Sequence, residues 1–166
     1  MKISAKMQDA MNQQMGREFG AYYFYLAMAA WFAYRNFDGF ARWMRAQAAE
    51  EAAHAMRFFD YIIDRGGEVS LEALDRPKAE WKSVLGVFEA ARAHEVGVSA
   101  GIHKLYALAL AEKDYASQAM LQWFITEQVE EEKTSTHIVA TLRIIGDSAS
   151  GLLIYDRELG ARNRPA

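Results

Sequence analysis

Proline sets the tightest limit on what this chain can fold into. Only Pro77 and Pro165 occur in 166 residues. A proline inside a helix costs about 3 kcal/mol, so long helices can form on either side of Pro77. Apolar residues recur there in steps of three and four, the period of an amphipathic helix. The pattern predicts helices over Ala5–Tyr34, Gly39–Arg65, Val84–Glu112 and Tyr115–Ile145, with a short one over Ala149–Glu158. Gly66-Gly67 and Gly146 stand where helix C-terminal signals belong. No stretch reads convincingly as a strand, so the chain is expected to be all-α. Its last few residues read as a loose tail.

Connection lengths then limit the topology. The links around Arg35–Asp38 and Lys113-Asp114 are short, so each joins antiparallel neighbours. The link from Gly66 to Ser83 is far longer. A helix of thirty residues is roughly 45 Å long, and on the order of 13 extended residues span that distance. The middle link can therefore return along the bundle, which makes the second and third helices parallel. A four-helix bundle with one long crossover is the expectation, in place of an up-down-up-down bundle.

Composition narrows the classes of function. The net charge of −3 is mild, and a nucleic-acid binder would show a basic stripe. No run of 18 or more apolar residues occurs, so no membrane span is expected. The first residues lack the apolar core of a secretory signal. There is no cysteine, which excludes disulfides and thiolate metal sites and fits a reducing cytoplasm.

The core stripes carry the functional signal. The first helix reads Met7, Met11, Gln14, Glu18, Tyr22, Tyr25, Ala29, Phe32, and the second Phe40, Met44, Gln47, Glu51, His54, Phe58, Tyr61. The third reads Val84, Phe88, Ala91, Glu95, Val98, Ile102, Leu105, Ala109, and the fourth Leu121, Phe124, Gln128, Glu131, Ser135, Ile138, Leu142, Ile145. Each stripe is broken near its middle by an acid: Glu18, Glu51, Glu95 and Glu131. Helix midpoints in a bundle meet at one depth, so four carboxylates would share an apolar core. Unpaired, each would cost several kcal/mol. Few lysines or arginines lie on the stripes, which leaves shared protons or bound cations as compensation. Glu51 and His54 are three apart, on one helix face, and Gln128 and Glu131 repeat that spacing. Imidazole among carboxylates suits a first-row divalent metal better than magnesium or calcium.

Plainer roles remain open for several of these residues. Gln128 can satisfy a core hydrogen bond, and Tyr25 can be packing with a satisfied hydroxyl. Met7, Met11 and Met15 read as packing. His94, His103 and His137 fall off the stripes and read as surface residues. In the run Glu127 to Glu132, Glu132 reads as solvated. Glu127 and Glu130 lie about 100° from the bundle-facing pair, as Glu50 does from Glu51, and these three could form a further metal site.

These segments resemble the prokaryotic non-haem ferritins, within the ferritin-like di-iron carboxylate superfamily. The likeness covers almost the whole chain. It is strongest at Trp43-Met44-Arg45, Glu50-Glu51-Ala52-Ala53-His54, His94-Glu95, Leu121 to Lys133, and Asp156-Arg157-Glu158-Leu159. It implies one ferritin-like di-iron domain over 1–166 and a ferroxidase centre of two adjacent iron sites. Glu18, Glu51 and His54 would form the first site, with Gln128 close by. Glu51, Glu95 and Glu131 would form the second, with Glu51 bridging. Glu50, Glu127 and Glu130 match a nearby third site, and Tyr25 matches a tyrosine that donates a hydrogen bond or an electron.

The resemblance further implies oxidation of Fe(II) with O2 or H2O2, storage as a ferric mineral, and a homo-oligomeric cage, typically of 24 subunits. The second half of the site, Gln128-x-x-Glu131, lacks the histidine of bacterioferritin-like and rubrerythrin-like centres. Ala52 stands where bacterioferritins carry the haem methionine, so no haem is expected. The competing readings are a di-iron oxidase of an organic substrate and a metal-free structural bundle. A stress-protective dodecamer with ligands between subunits fits less well, because all four helices contribute here within one chain.

Overall fold

A computed structural model describes residues 2–161; the expected C-terminal tail and Pro165 lie outside the described residues. Five helices follow in order: α1 Ala5–Tyr34, α2 Asp38–Asp64, α3 Val84–Ala111, α4 Tyr115–Ile145 and α5 Ala149–Ala161. The four long helices agree with the sequence reading to within a residue at each end. The fifth runs three residues beyond the expected Glu158, because Leu159 is buried beside Tyr155, one turn earlier, in the bundle core.

Local chemistry sets the boundaries. Ser4, Ser83 and Asp114 accept hydrogen bonds from the backbone N–H groups of Met7, Gly86 and Ser117, so each caps a helix start. The start of α2 has no such side chain, since Phe37 cannot accept. Asp156 of α5 supplies the missing acceptors: its carboxylate takes the N–H of Gly39 at 3.1 Å and of Phe40 at 2.7 Å. At the far end of α2, Gly66 takes a positive φ of 67°, and Gly66 and Gly67 donate to the carbonyls of Ile63 and Ile62. The short links after α1 and α3 turn through Asn36 and Lys113, at φ 61° and 54°.

The core divides into two apolar clusters, and their membership establishes the topology. One contains the C-terminal half of α1 (Tyr25 to Phe32), the N-terminal half of α2 (Phe40 to Ala48), the start of α3 (Val84 to Ala91), the end of α4 (Ile138 to Leu142), and Tyr155 and Leu159 of α5. The other contains the start of α1, the end of α2 (Ala55 to Ile62), the end of α3 (Val98 to Ala109) and the start of α4 (Leu121, Phe124). Thus α2 and α3 run parallel, and the pairs α1/α2 and α3/α4 run antiparallel. The segment 67–83 is the crossover. It is tied to α1 by Gln8 and Asn12, which bond the backbone of Glu68 and Ser70. Trp81 then docks against Phe24 and Trp31. Among the described residues no helix is long and apolar enough to cross a membrane.

Candidate metal centre

Between the two apolar clusters lies a polar layer, one segment from each long helix. On α1 it falls between Met15 and Tyr25, on α2 between Ala48 and Ala55, on α3 between Ala91 and Val98, and on α4 between Phe124 and Ile138. Glu18, Glu51, Glu95 and Glu131 occupy it, and none is more than 2% exposed. Gln14, Gln47, His54, Ser99, Gln128 and Ser135 are buried with them.

Three residues come close enough to share one ion. Glu18, Glu51 and His54 each offer a ligand atom, and these atoms lie within 4.8 Å of one another. His54 Nδ1 is 3.4 Å from Glu51 Oε2, a contact that lacks hydrogen-bond geometry. Glu18 Oε2 and Glu51 Oε2 are buried without a hydrogen-bond partner. The His54 ring is fixed by aromatic edges, with Trp123 at 5.4 Å and Phe124 at 5.8 Å. Arg57 places its guanidinium 3.9 Å from the centroid of Trp123, on the outer side of the bundle.

The other two acids are held by donors. Tyr25 donates its hydroxyl proton to Glu95 Oε1. Gln128 Nε2 reaches Glu95 Oε2 and the Glu95 carbonyl, both at 3.3 Å, and Ser99 Oγ at 3.2 Å. Gln128 therefore makes the core hydrogen bonds that the sequence left open. Gln47 Nε2 donates to Glu131 Oε2 at 3.2 Å. Ser135 donates to the Glu131 carbonyl at 2.8 Å, within its own helix.

Electrostatics follow from this crowding. Burial, then the neighbouring Glu51 carboxylate, pushes Glu18 well above the usual carboxylate range. Burial, then Glu95, with Glu131 and Glu50 adding to it, pushes Glu51 up in the same way. Burial and the Glu95 and Glu51 charges hold the Tyr25 hydroxyl protonated. No lysine or arginine forms a salt bridge to Glu18 or Glu51 among the described residues. Without a cation Glu18 and Glu51 favour their protonated forms; a divalent cation would displace those protons and supply the missing charge.

The remaining candidates stand further out. Glu50 and Glu127 are half-buried and Glu130 is exposed. Together they form no cluster as tight as that of Glu18, Glu51 and His54 among the described residues. Glu132 is half-buried rather than fully solvated, and His103 and His137 are exposed as expected. His94 is a correction. It is largely enclosed, its ring 5.0 Å from Phe24 and 6.2 Å from Tyr25, with Nε2 buried and unpartnered. Burial lowers its pKa. A single-helix stripe could not reveal this, because α1 covers the flank of α3 that carries His94.

Two of the donors, Gln14 and Gln47, have no role in the sequence reading. Gln14 lies one turn before Glu18, and Gln47 one turn before Glu51 on the same stripe. Amides one turn from buried acids were the available signal. Trp123 gave none, since it sits between two stripe positions.

Comparisons with known proteins agree with this fold. A family model described as a ferritin-like domain matches residues 8–145. A bacterial non-heme ferritin of Staphylococcus epidermidis is 41% identical over 162 residues, covering 97% of both chains. One from Staphylococcus aureus is 38% identical over 161 residues, covering 96% of both. Among solved structures, the open pore ferritin of the archaeon Archaeoglobus fulgidus superposes with a TM-score of 0.96 at 45% identity, over 98% of this chain and 100% of that one. A humanized archaeal ferritin gives a TM-score of 0.97 at 43% identity, over 99% and 100%.

Proposed function

This chain belongs to the ferritin-like domain family, and from that premise we propose that it stores iron and oxidises Fe(II) to Fe(III) within its own helix bundle. The observation that carries the reading is the layer of four buried acids and one imidazole between two apolar clusters. Such a layer is unfavourable unless cations or protons occupy it. Relatives matching nearly the full length are non-heme ferritins, which favours iron as the cation.

Glu18, Glu51 and His54 take one Fe(II), and Glu51, Glu95 and Glu131 take a second, with Glu51 shared. Tyr25, through its bond to Glu95, orients that acid; donation of an electron is a second role for it. Carboxylates are hard oxygen donors and bind ferric iron more strongly than ferrous, which promotes electron loss. O2 or H2O2 accepts the electrons. Glu50, Glu127 and Glu130, next to the layer on α2 and α4, form a third iron site. The ferric product collects as mineral inside a cage of copies, with 24 as the proposed number and the cytoplasm as the compartment. Ala52, where a haem methionine would stand, leaves haem without an axial ligand.

An oxidase of an organic substrate would need a pocket beside the acids. A cavity of about 710 Å³ does open between α1 and the crossover, but none of the four acids lines it.

The test adds Fe(II) in air, at many ions per chain, and follows iron through size exclusion. Ferric iron co-eluting with a large particle is the expected result. A small species holding two or three irons per chain would favour the oxidase reading, and no bound iron would end the proposal.

A further inference from the structure

Gly101 stands in the interior of α3, where glycine weakens a helix and contributes no packing. It is buried against α1. A Cβ at this position would come within 2.7 Å of Gln14 Oε1 and 3.2 Å of Arg17 Nη1. One turn earlier, at Gly97, a Cβ would meet nothing within 4 Å. The absent side chain at 101 thus has a specific consequence.

The space is filled by a hydrogen-bonded chain leading to the metal centre. Arg17 Nη1 donates to Gln14 Oε1 at 3.0 Å, and Gln14 Nε2 donates to Glu18 Oε1 at 2.7 Å. Its direction is fixed by chemistry. A guanidinium only donates, so the amide oxygen of Gln14 must face Arg17. The amide nitrogen must then face Glu18. A reversed amide would set donor against donor at Arg17. Glu18 Oε1 is thereby engaged, while Oε2 is buried without a protein partner. Arg17 itself is exposed, on the wall of the cavity between α1 and the crossover.

We propose that Arg17 is a positioning residue for the metal centre: acting through Gln14, it decides which oxygen of Glu18 is offered to the metal, and Gly101 is the space that permits it. The inference rests on the reading of Glu18 as a ligand.

The test is calorimetric titration of the assembled, iron-freed protein with Zn(II), which binds without being oxidised. Arg17→Leu is expected to weaken the Glu18-dependent binding step roughly tenfold, the scale of lost outer hydrogen bonds to metal ligands. The other step and the thermal midpoint stay unchanged. Arg17→Lys, also a pure donor, recovers most of the affinity. Gly101→Ala reproduces the loss, and Gly97→Ala does not. Parental affinity in Arg17→Leu, or no recovery with lysine, overturns the inference. Equal weakening of every step together with a lowered midpoint also overturns it, since that is a structural effect. Glu18→Ala separates the two levels. If its titration matches the parent, the reading of Glu18 as a ligand has failed. If a step is lost there but kept in Arg17→Leu, only the role of Arg17 has failed.

Discussion

Glu51 is the residue on which most of the chemistry turns. It is adjacent to Glu18 and His54, and the charges of Glu95 and Glu131 act on it as well. Glu51→Ala and His54→Ala are each expected to slow the fast phase of Fe(II) oxidation at least ~10-fold while the bundle stays folded. Stopped-flow absorbance at two irons per chain reads this, and parental initial rates in the double variant would sink the assignment. The same acids impose a pH dependence on the metal-free protein. Glu18 and Glu51 titrate above their unfolded value of 4.5 in the fold. The folded state therefore binds more protons between the unfolded and folded values, and stability falls as pH rises through that window. Glu18→Gln with Glu51→Gln removes both groups. Denaturant unfolding in chelator should show the double variant gaining on the parent as pH rises above 4.5. A pH-independent difference would mean that the two acids are not held protonated.

At the scale of elements, the docking of α5 is the least obvious interaction. A helix of 13 residues is too short to persist alone. It is held by Tyr155 and Leu159 in the core and by Asp156 at the start of α2. The helices cross so closely that a Cβ at Gly39 would fall 1.7 Å from the Asp156 carbonyl oxygen. Asp156→Ala is expected to cost about 1–2 kcal/mol, the worth of a helix cap. Hydrogen exchange should show lost protection at Gly39 and Phe40 and along α5. Unchanged protection at these two amides would show that α2 starts without help from α5. A second contrast concerns α3. Gly97→Ala, in open space, should stabilise by up to ~1 kcal/mol through helix propensity, whereas Gly101→Ala should gain less, because the Gln14 amide must shift. Denaturation midpoints of the two variants read the difference.

Several large apolar side chains stand out on the surface of the whole molecule. Tyr34, Leu71, Tyr115, Val129, Ile144 and Ile154 are each at least 66% exposed. They lie on α1, the crossover, α4 and α5. A shell of 24 chains of 18.8 kDa would have a mass of about 450 kDa. Light scattering after size exclusion is expected to give that value for the metal-free protein. A monomer at micromolar concentration would contradict the cage.

Periodicity and punctuation alone determined the helices, because helix boundaries here depend on nearest neighbours in sequence: Ser4, Ser83 and Asp114 cap, and Gly66 and Gly146 terminate. The crossover was legible too, since a link as long as Gly66–Ser83 is needed only to retrace a helix. The acid layer was legible because mid-helix positions in a bundle must meet at one depth, and Glu-x-x-His shares a face by helix geometry. What the sequence left undecided depends on side chains from different elements reaching one point. The capping of α2 by Asp156, more than a hundred residues away, is one case. The enclosure of His94 against α1 is another. The turning of Gln128 toward Glu95 and the chain from Arg17 through Gln14 to Glu18 complete the set. Each requires the rotation and spacing of packed helices to within an ångström or so. Local propensity carries no information about that rotation; only the packed core sets it.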